Sequence, residues 1–310
     1  MNSPQETIDK GRTNAGTSFH RVLIAADLTE MDQHLLDFST SLLSAGHSKK
    51  VYALHIIPDF TKPKKTILDF HQRFTTGVPV DEKVRSMLKA QFEDGLKALD
   101  VSFDIEVVEG KPYQKLVHMA KVKEVGTVIA GVKRQSAGSG ITAKRLARKL
   151  QCNLLLVPET ASKSIKRLVV PVDFSDNSAR ALWLALALQK TFDTEVKIDL
   201  IHVMQLLPLS NYYNFSNNME YRRLMRENTQ REAADFMSKH QLEGENIKLR
   251  ILEDEEGHTV GQIDDFAQKA TDAMLIMGAK GHSALEGLFF GSVAEGLVDR
   301  LENYPLLIVR

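Results

Sequence analysis

Arg21-Val22-Leu23-Ile24-Ala25-Ala26-Asp27-Leu28-Thr29 returns in outline as Arg167-Leu168-Val169-Val170-Pro171-Val172-Asp173-Phe174-Ser175. Each stretch is an apolar run of strand length that closes on an aspartate, and Asp27 and Asp173 are offset by 146 positions. Further along, Ala53-Leu54-His55-Ile56 answers to Asp199–Val203, with His55 and His202 offset by 147. Thr127–Gly131 answers to Ala273–Gly278, with Gly131 and Gly278 again offset by 147. Both halves close on similar runs, Leu154–Val157 and Leu306–Val309. A near-constant offset held over more than a hundred residues is the mark of a duplication.

Within each copy the apolar pattern alternates between strand and helix periods. In the second copy the strands are expected at Lys166–Val172, Val196–Val203, Asn246–Leu252, Asp272–Gly278 and Pro305–Val309. Helices are expected over Asn177–Phe192, Glu220–His240 and His258–Ala270, with a last one starting near Gly291. Ser175 or Asp176 is placed to cap the first of them. The polar, aromatic stretch Gln205–Asn218 is expected to be a long loop. Apolar strands joined by amphipathic helices predict an α/β fold: an open five-stranded parallel sheet with helices on both faces, built twice. Residues 19–158 and 165–310 form the two domains, 159–164 the linker, and the polar opening 1–18 a disordered tail.

The chain has 310 residues, enough for two domains, and 43% hydrophobic with 26% charged residues is a globular composition. Forty basic residues balance forty acidic ones, so no bulk field favours nucleic acid or an anionic membrane. A single cysteine, Cys152, excludes an intramolecular disulfide and a thiolate metal cluster; beside Asn153–Pro158 it is expected to be a half-buried structural thiol. No apolar run approaches the ~20 residues that cross a bilayer, and the opening lacks the apolar core of a signal peptide. A cytoplasmic location is the expectation.

The fourth strand of the second copy leads into Met277-Gly278-Ala279-Lys280-Gly281, and nine residues later comes Gly291-Ser292-Val293. Open parallel sheets bind ligands at the carboxyl ends of their strands, where strand order reverses. Lacking a Cβ, Gly278 and Gly281 would let a sugar or phosphate approach the backbone and let the chain turn with φ > 0. Gly291-Ser292 opens a helix whose unpaired N–H groups and positive dipole end favour an anion, and the Ser292 hydroxyl adds a donor. The motif is neither a Walker A loop, since Gly-Lys-Ser/Thr is missing, nor a dinucleotide fingerprint, since it does not follow the first strand. Taken singly, the glycines also fit an ordinary turn after a strand, and Asp173 also fits a helix cap. His55 and His202, at matched strand ends, are expected to pack or hydrogen-bond rather than catalyse. His258 and His282 carry no distinct signal.

This motif, together with Pro171-Val172-Asp173 and the His202-Val203 strand end, resembles the ATP-binding members of the universal stress protein family. The resemblance runs from Phe19 to Arg310, so the chain looks like a tandem member. It implies the sheet order 3-2-1-4-5 and bound ATP with Mg2+. It further implies that Asp173 and Val203 flank adenine and ribose, that Gly278 and Gly281 pack on ribose and phosphates, that Gly291, Ser292 and Val293 hold the phosphates, and that Pro171, Val172 and Met277 belong to the same nucleotide site. Single-domain relatives pair through the last strand, which implies an intrachain pseudo-dimer, further dimerisation and a protein partner. The first copy departs from the pattern. It keeps Asp27 and Gly131, but Arg134 replaces Gly281, only five residues separate Arg134 from Gly140, and Ile141 replaces the serine. An empty or altered first site is the expectation.

Three functions fit: an ATP-binding stress-response regulator, a slow ATPase or phosphoryl-transfer enzyme, and a scaffold binding no nucleotide. Lys280 is the one cation inside the motif and no paired carboxylates stand beside it, which favours the regulator, with hydrolysis slow or absent.

Overall fold

The computed structural model describes residues 9, 13–45, 47–57, 80–133, 139–192, 195–206, 218–242, 246–255, 257–281 and 290–310. The chain divides into two compact units, Thr17–Glu159 and Thr160–Arg310, the opening residues through Gly16 going with the second. In the first unit β1 (Arg21–Ala26), α1 (Glu30–Ala45), β2 (Lys50–Ile57), α2 (Val80–Ala98), β3 (Ser102–Glu109), α3 (Pro112–Val122), β4 (Thr127–Val132), α4 (Ser139–Lys149) and β5 (Asn153–Pro158) alternate. Its strands are parallel and ordered β3-β2-β1-β4-β5. The second unit repeats this with β6 (Arg167–Pro171), α5 (Asp176–Thr191), β7 (Lys197–Gln205), α6 (Asn218–Lys239), β8 (Ile247–Asp254), α7 (Thr259–Lys269), β9 (Ala273–Gly278), α8 (Ser292–Arg300) and β10 (Leu306–Val309). Its order is β8-β7-β6-β9-β10, again all parallel. Each unit therefore has the order 3-2-1-4-5.

The sequence pattern explains this layering. Every residue of β5, β9 and β10 is buried, as uninterrupted apolar runs must be when helices cover both faces of a sheet. The outer strands β3 and β8 mix apolar residues with Asp104, Glu106, Lys248 and Arg250, charges that keep an open sheet edge from pairing with another chain. Ser175 caps α5, its hydroxyl accepting from Ser178 N. Leu182, Trp183, Leu184, Ala185 and Leu186 of that helix are all buried, and the Trp183 indole donates to the His240 carbonyl at 3.2 Å.

The opening stretch needs a partial correction. Residues 13–17 are helical, and Thr13 Oγ1 donates to the Asp9 carbonyl at 2.8 Å. Ala15, Ser18 and Phe19 are buried, and Thr127 Oγ1 holds the Ser18 carbonyl at 2.8 Å. These anchors order the end of what its polar composition suggested was a tail; residues 1–8 and 10–12 lie outside the described residues. The loop expected over Gln205–Asn218 falls mostly on residues 207–217, also outside them.

In the second unit β6 lies between β7 and β9, so the chain leaves it toward β7 and β8 and later crosses back to β9 and β10. The strand order reverses beside β6, which opens a crevice at the carboxyl ends of β6 and β9.

Candidate functional site

The crevice begins at the turn after β6. Val172 N donates to Ile201 O at 2.8 Å, keeping the chain on β7, and then Phe174 takes a left-handed backbone with φ 61°. Asp173 Oδ1 closes the turn by accepting from Ser175 N at 3.2 Å and Ser175 Oγ at 2.6 Å. Asp173 is thus not the helix cap; it holds the serine that is. The first unit repeats the device: Leu28 has φ 60°, and Asp27 Oδ1 accepts from Thr29 N at 3.2 Å and Thr29 Oγ1 at 2.5 Å.

The matched histidines brace these turns. His202 Nδ1 donates to the Val172 carbonyl and His55 Nδ1 to the Ala26 carbonyl, both at 2.9 Å. A carbonyl only accepts, so the proton sits on Nδ1. Burial lowers the His202 pKa below the usual histidine value, leaving a neutral ring that stacks on Phe174 with centroids 4.4 Å apart.

The glycines of the motif have separate reasons, and one expectation about them is corrected. Among the described glycines only Gly110 and Gly257 have left-handed φ, so Gly278 and Gly281 do not serve a φ > 0 turn. A Cβ on Gly278 would lie 2.9 Å from Asn177 O and 3.0 Å from its carbonyl carbon; this glycine lets the start of α5 pack against the end of β9. The matched Gly131 faces the Met31 side chain, 2.6 Å from a Cβ placed there. A Cβ on Gly281 would collide with Asp173 Oδ2, so this glycine keeps the carboxylate in place. Gly291 N donates to Ala279 O at 2.8 Å, which folds the loop back and sets Gly291 as the N-cap of α8. No side chain caps that helix, and its first N–H groups, on Ser292, Val293 and Ala294, have no intrahelical acceptor. His282 lies among residues 282–289, outside the described residues.

All ten residues singled out by the sequence line one cavity of about 1140 Å3. Pro171, Val172 and Asp173 come from the end of β6, Val203 from β7, and Met277 and Gly278 from β9. Gly281 follows in the loop, and Gly291, Ser292 and Val293 stand at the start of α8, with Lys280 beside them. Sequence reasoning missed the opposite wall, which runs from Gly257 to Ile263 with Gln205 and Asp265. There Asp254, buried at the end of β8, accepts from His258 N at 2.9 Å and Thr259 Oγ1 at 3.2 Å, and Gln205 Nε2 donates to Thr259 Oγ1 at 3.2 Å. The available signal was Gly257-His258-Thr259 ahead of a helix, with Gly257 at φ 73°.

In the first unit the connection corresponding to the motif spans residues 133–138, against 279–291 in the second. Arg134 lies outside the described residues. Gly140 falls inside α4, whereas Gly291 precedes α8. Lys133 Nζ reaches Asp27 Oδ2 and Thr29 Oγ1, both at 2.5 Å. Asp32, 1% exposed, stands where the second unit has Ser178, and accepts from Asp27 N and Leu28 N at 2.8 Å each. Burial pushes its carboxyl up to about 6. Ser178 instead turns its hydroxyl to the Ser175 carbonyl at 2.8 Å. The first turn therefore carries an internal carboxylate on its backbone donors.

Among the described residues no three His, Cys, Asp or Glu side chains are grouped to hold a metal ion, and no helix is long and apolar enough to cross a membrane.

A family model described as the universal stress protein family matches residues 18–158 and again 164–310. A universal stress protein of Methanocaldococcus jannaschii is 29% identical over 145 residues, 47% of this chain and 82% of that protein. The structure of a universal stress protein from Archaeoglobus fulgidus superposes with a TM-score of 0.55 at 16% identity, covering 94% of this chain and 96% of that one. A second structure, from Pseudomonas aeruginosa, gives a TM-score of 0.60 at 16% identity over 95% of this chain and 94% of that one. At such identities these structures speak to fold.

Proposed function

The chain belongs to the universal stress protein family, and from that premise we propose that its second unit binds ATP and acts as a nucleotide-responsive module in a stress response, read by a protein partner. The observation that carries this reading is the cavity itself: residues from the ends of three strands and the uncapped start of a helix line one space of about 1140 Å3. That exceeds the roughly 300–1,000 Å3 of most small-molecule pockets, so the residues present fit a nucleoside triphosphate. The N–H groups of Ser292, Val293 and Ala294 would receive phosphate oxygens along the dipole of α8, with Ser292 Oγ and Lys280 beside them. Asp173, kept in position by Gly281, and Val203 would flank ribose and base. Mg2+ would be held chiefly by phosphate oxygens and water.

The same inventory supports binding over turnover. Backbone donors hold an anion in its ground state, whereas catalysis needs contacts that strengthen in the transition state. The neutral His202 is engaged with the Val172 carbonyl. The test is Mg-ATP binding by the full chain compared with Asp173→Ala and Ser292→Ala, together with single-turnover hydrolysis. Weakened binding in both variants and slow or absent hydrolysis are expected. Turnover near ~10 s⁻¹, typical of enzymes, and lost in both variants, would make the protein an ATPase instead.

A further inference from the structure

A second cavity, of about 500 Å3, opens behind the turn that carries Asp173. Its aromatic lining is a run of rings: His202 stacks on Phe174, and Phe236 of α6 meets Phe174 at 5.6 Å with planes 54° apart. Its charged lining is mainly acidic. Glu232 and Asp235 stand one helical turn apart on the α6 face that presents Phe236, and Asp173 contributes a third carboxylate. Among the described lining residues the cation is Lys239, 3.5 Å from Asp176 Oδ1. Glu232 and Asp235 are exposed and make no ion pair among the described residues.

The first unit lacks this arrangement. The left-handed residues that follow α2 and α6, Asp100 and Gln241, bring the two helices into register. Phe236 and Lys239 then correspond to Gly95 and Ala98, and Phe174 corresponds to Leu28. Gly95 is pressed against Leu36, 2.7 Å from a Cβ built there, so no ring stands at this position in the first unit. The run of rings is a property of the second copy and not of the repeated fold.

We propose that this cavity binds a small organic cation carrying a guanidinium group. A planar, weakly hydrated cation lies well on aromatic rings, where the ring quadrupole attracts it. Its fork of N–H donors matches a carboxylate, and Glu232 and Asp235 are two exposed carboxylates that make no ion pair among the described residues. A bare metal ion would gain nothing from the rings, and an anion would meet three like charges. The proposal stands independently of nucleotide binding.

The experiment titrates the full chain with agmatine, following heat and the His202 ring protons by NMR. N-butylurea serves as comparator, because its planar head copies the shape of guanidinium without the charge. Saturable binding at one site, with Kd on the order of 1 mM or tighter and shifted His202 resonances, is expected, with no such response to butylurea. The double variant Glu232→Gln, Asp235→Asn changes two exposed side chains by near-isosteric replacements that keep the fold; it should bind agmatine at least tenfold more weakly. Absence of saturation, an equal response to butylurea, or unchanged affinity in the double variant would overturn the proposal.

Discussion

A methyl group on Gly278 would lie 2.9 Å from the Asn177 carbonyl oxygen, and the backbone there is fixed by the start of α5. Gly278→Ala is therefore expected to lower stability by about 1–3 kcal/mol, the usual cost of overpacking, read as a fall in Tm. Among the described residues, the same methyl group on Gly281 meets only the far end of the Asp173 side chain. That carboxylate can swing away without a backbone clash, but it then gives up its hydrogen bonds to Ser175 and its place in the cavity wall. Gly281→Ala should lower the Tm less than Gly278→Ala does and weaken Mg-ATP binding at least tenfold, and Gly281→Arg should abolish it. A destabilised Gly281→Ala with unchanged affinity would show that this glycine serves packing instead. Titration gives a second check on the contrast between the copies. Asp32, raised from 3.8 to about 6 by burial, contributes stability that is complete below pH 3.8 and lost as pH rises through 6. Its ionisation at pH 7 costs about 3 kcal/mol by linkage, as an order of magnitude. His202 and His240, both lowered from 6.5 chiefly by burial, act in the opposite sense: their contribution is complete above pH 6.5 and falls away on acidification. Carbon and proton NMR of the full chain should give Asp32 a midpoint near 6 and both histidines midpoints below 6.5. An Asp32 midpoint below 3.8 would mean that the backbone donors outweigh burial.

At the scale of elements, α8 starts at Ser292 with no side-chain cap and with Glu295 as the one acid in its first turn. An aspartate at 292 would interact with the helix dipole where a phosphate is proposed to sit. Ser292→Asp is expected to stabilise the helix by about 0.3–1 kcal/mol while lowering nucleotide affinity tenfold or more. Calorimetry and thermal melting of the same sample measure both, and a gain in affinity would contradict the phosphate placement. The start of α8 was legible in the sequence because Gly-Ser after a strand-and-loop pattern is a local signal. So were β6 through β10, since runs such as Met274–Met277 must be buried on both faces. The wall formed by the loop after β8 and the start of α7 was not legible. Thr259 and Gln205 are distant in sequence and meet only because β8 lies beside β7, a fact of strand order. The reasons for the glycines were hidden in the same way: Asn177 and Asp173, which dictate them, are about a hundred residues earlier in the chain. Nor did composition reveal the ordered turn at residues 13–17, whose anchor at Ser18 is the distant Thr127.

Over the whole molecule, the duplication has left two units with one strand order and different chemistry at the matched crevice. One carries the long connection 279–291, the uncapped α8 and Ser178. The other carries the short connection 133–138, the Lys133–Asp27 pair and the buried Asp32. Where a ligand binds only the folded state, mass action raises the melting temperature. The transition of the second unit should therefore rise with Mg-ATP concentration while that of the first stays fixed, as hydrogen exchange at β6 and at β1 would report separately. Equal protection of both strands would mean that the first crevice also binds. The most direct test of the central claim is the stoichiometry of Mg-ATP binding to the intact chain by isothermal titration calorimetry, repeated on Gly281→Arg. One nucleotide per chain, with no binding left in the variant, is the expected result; two per chain, or a site that survives Gly281→Arg, would contradict it.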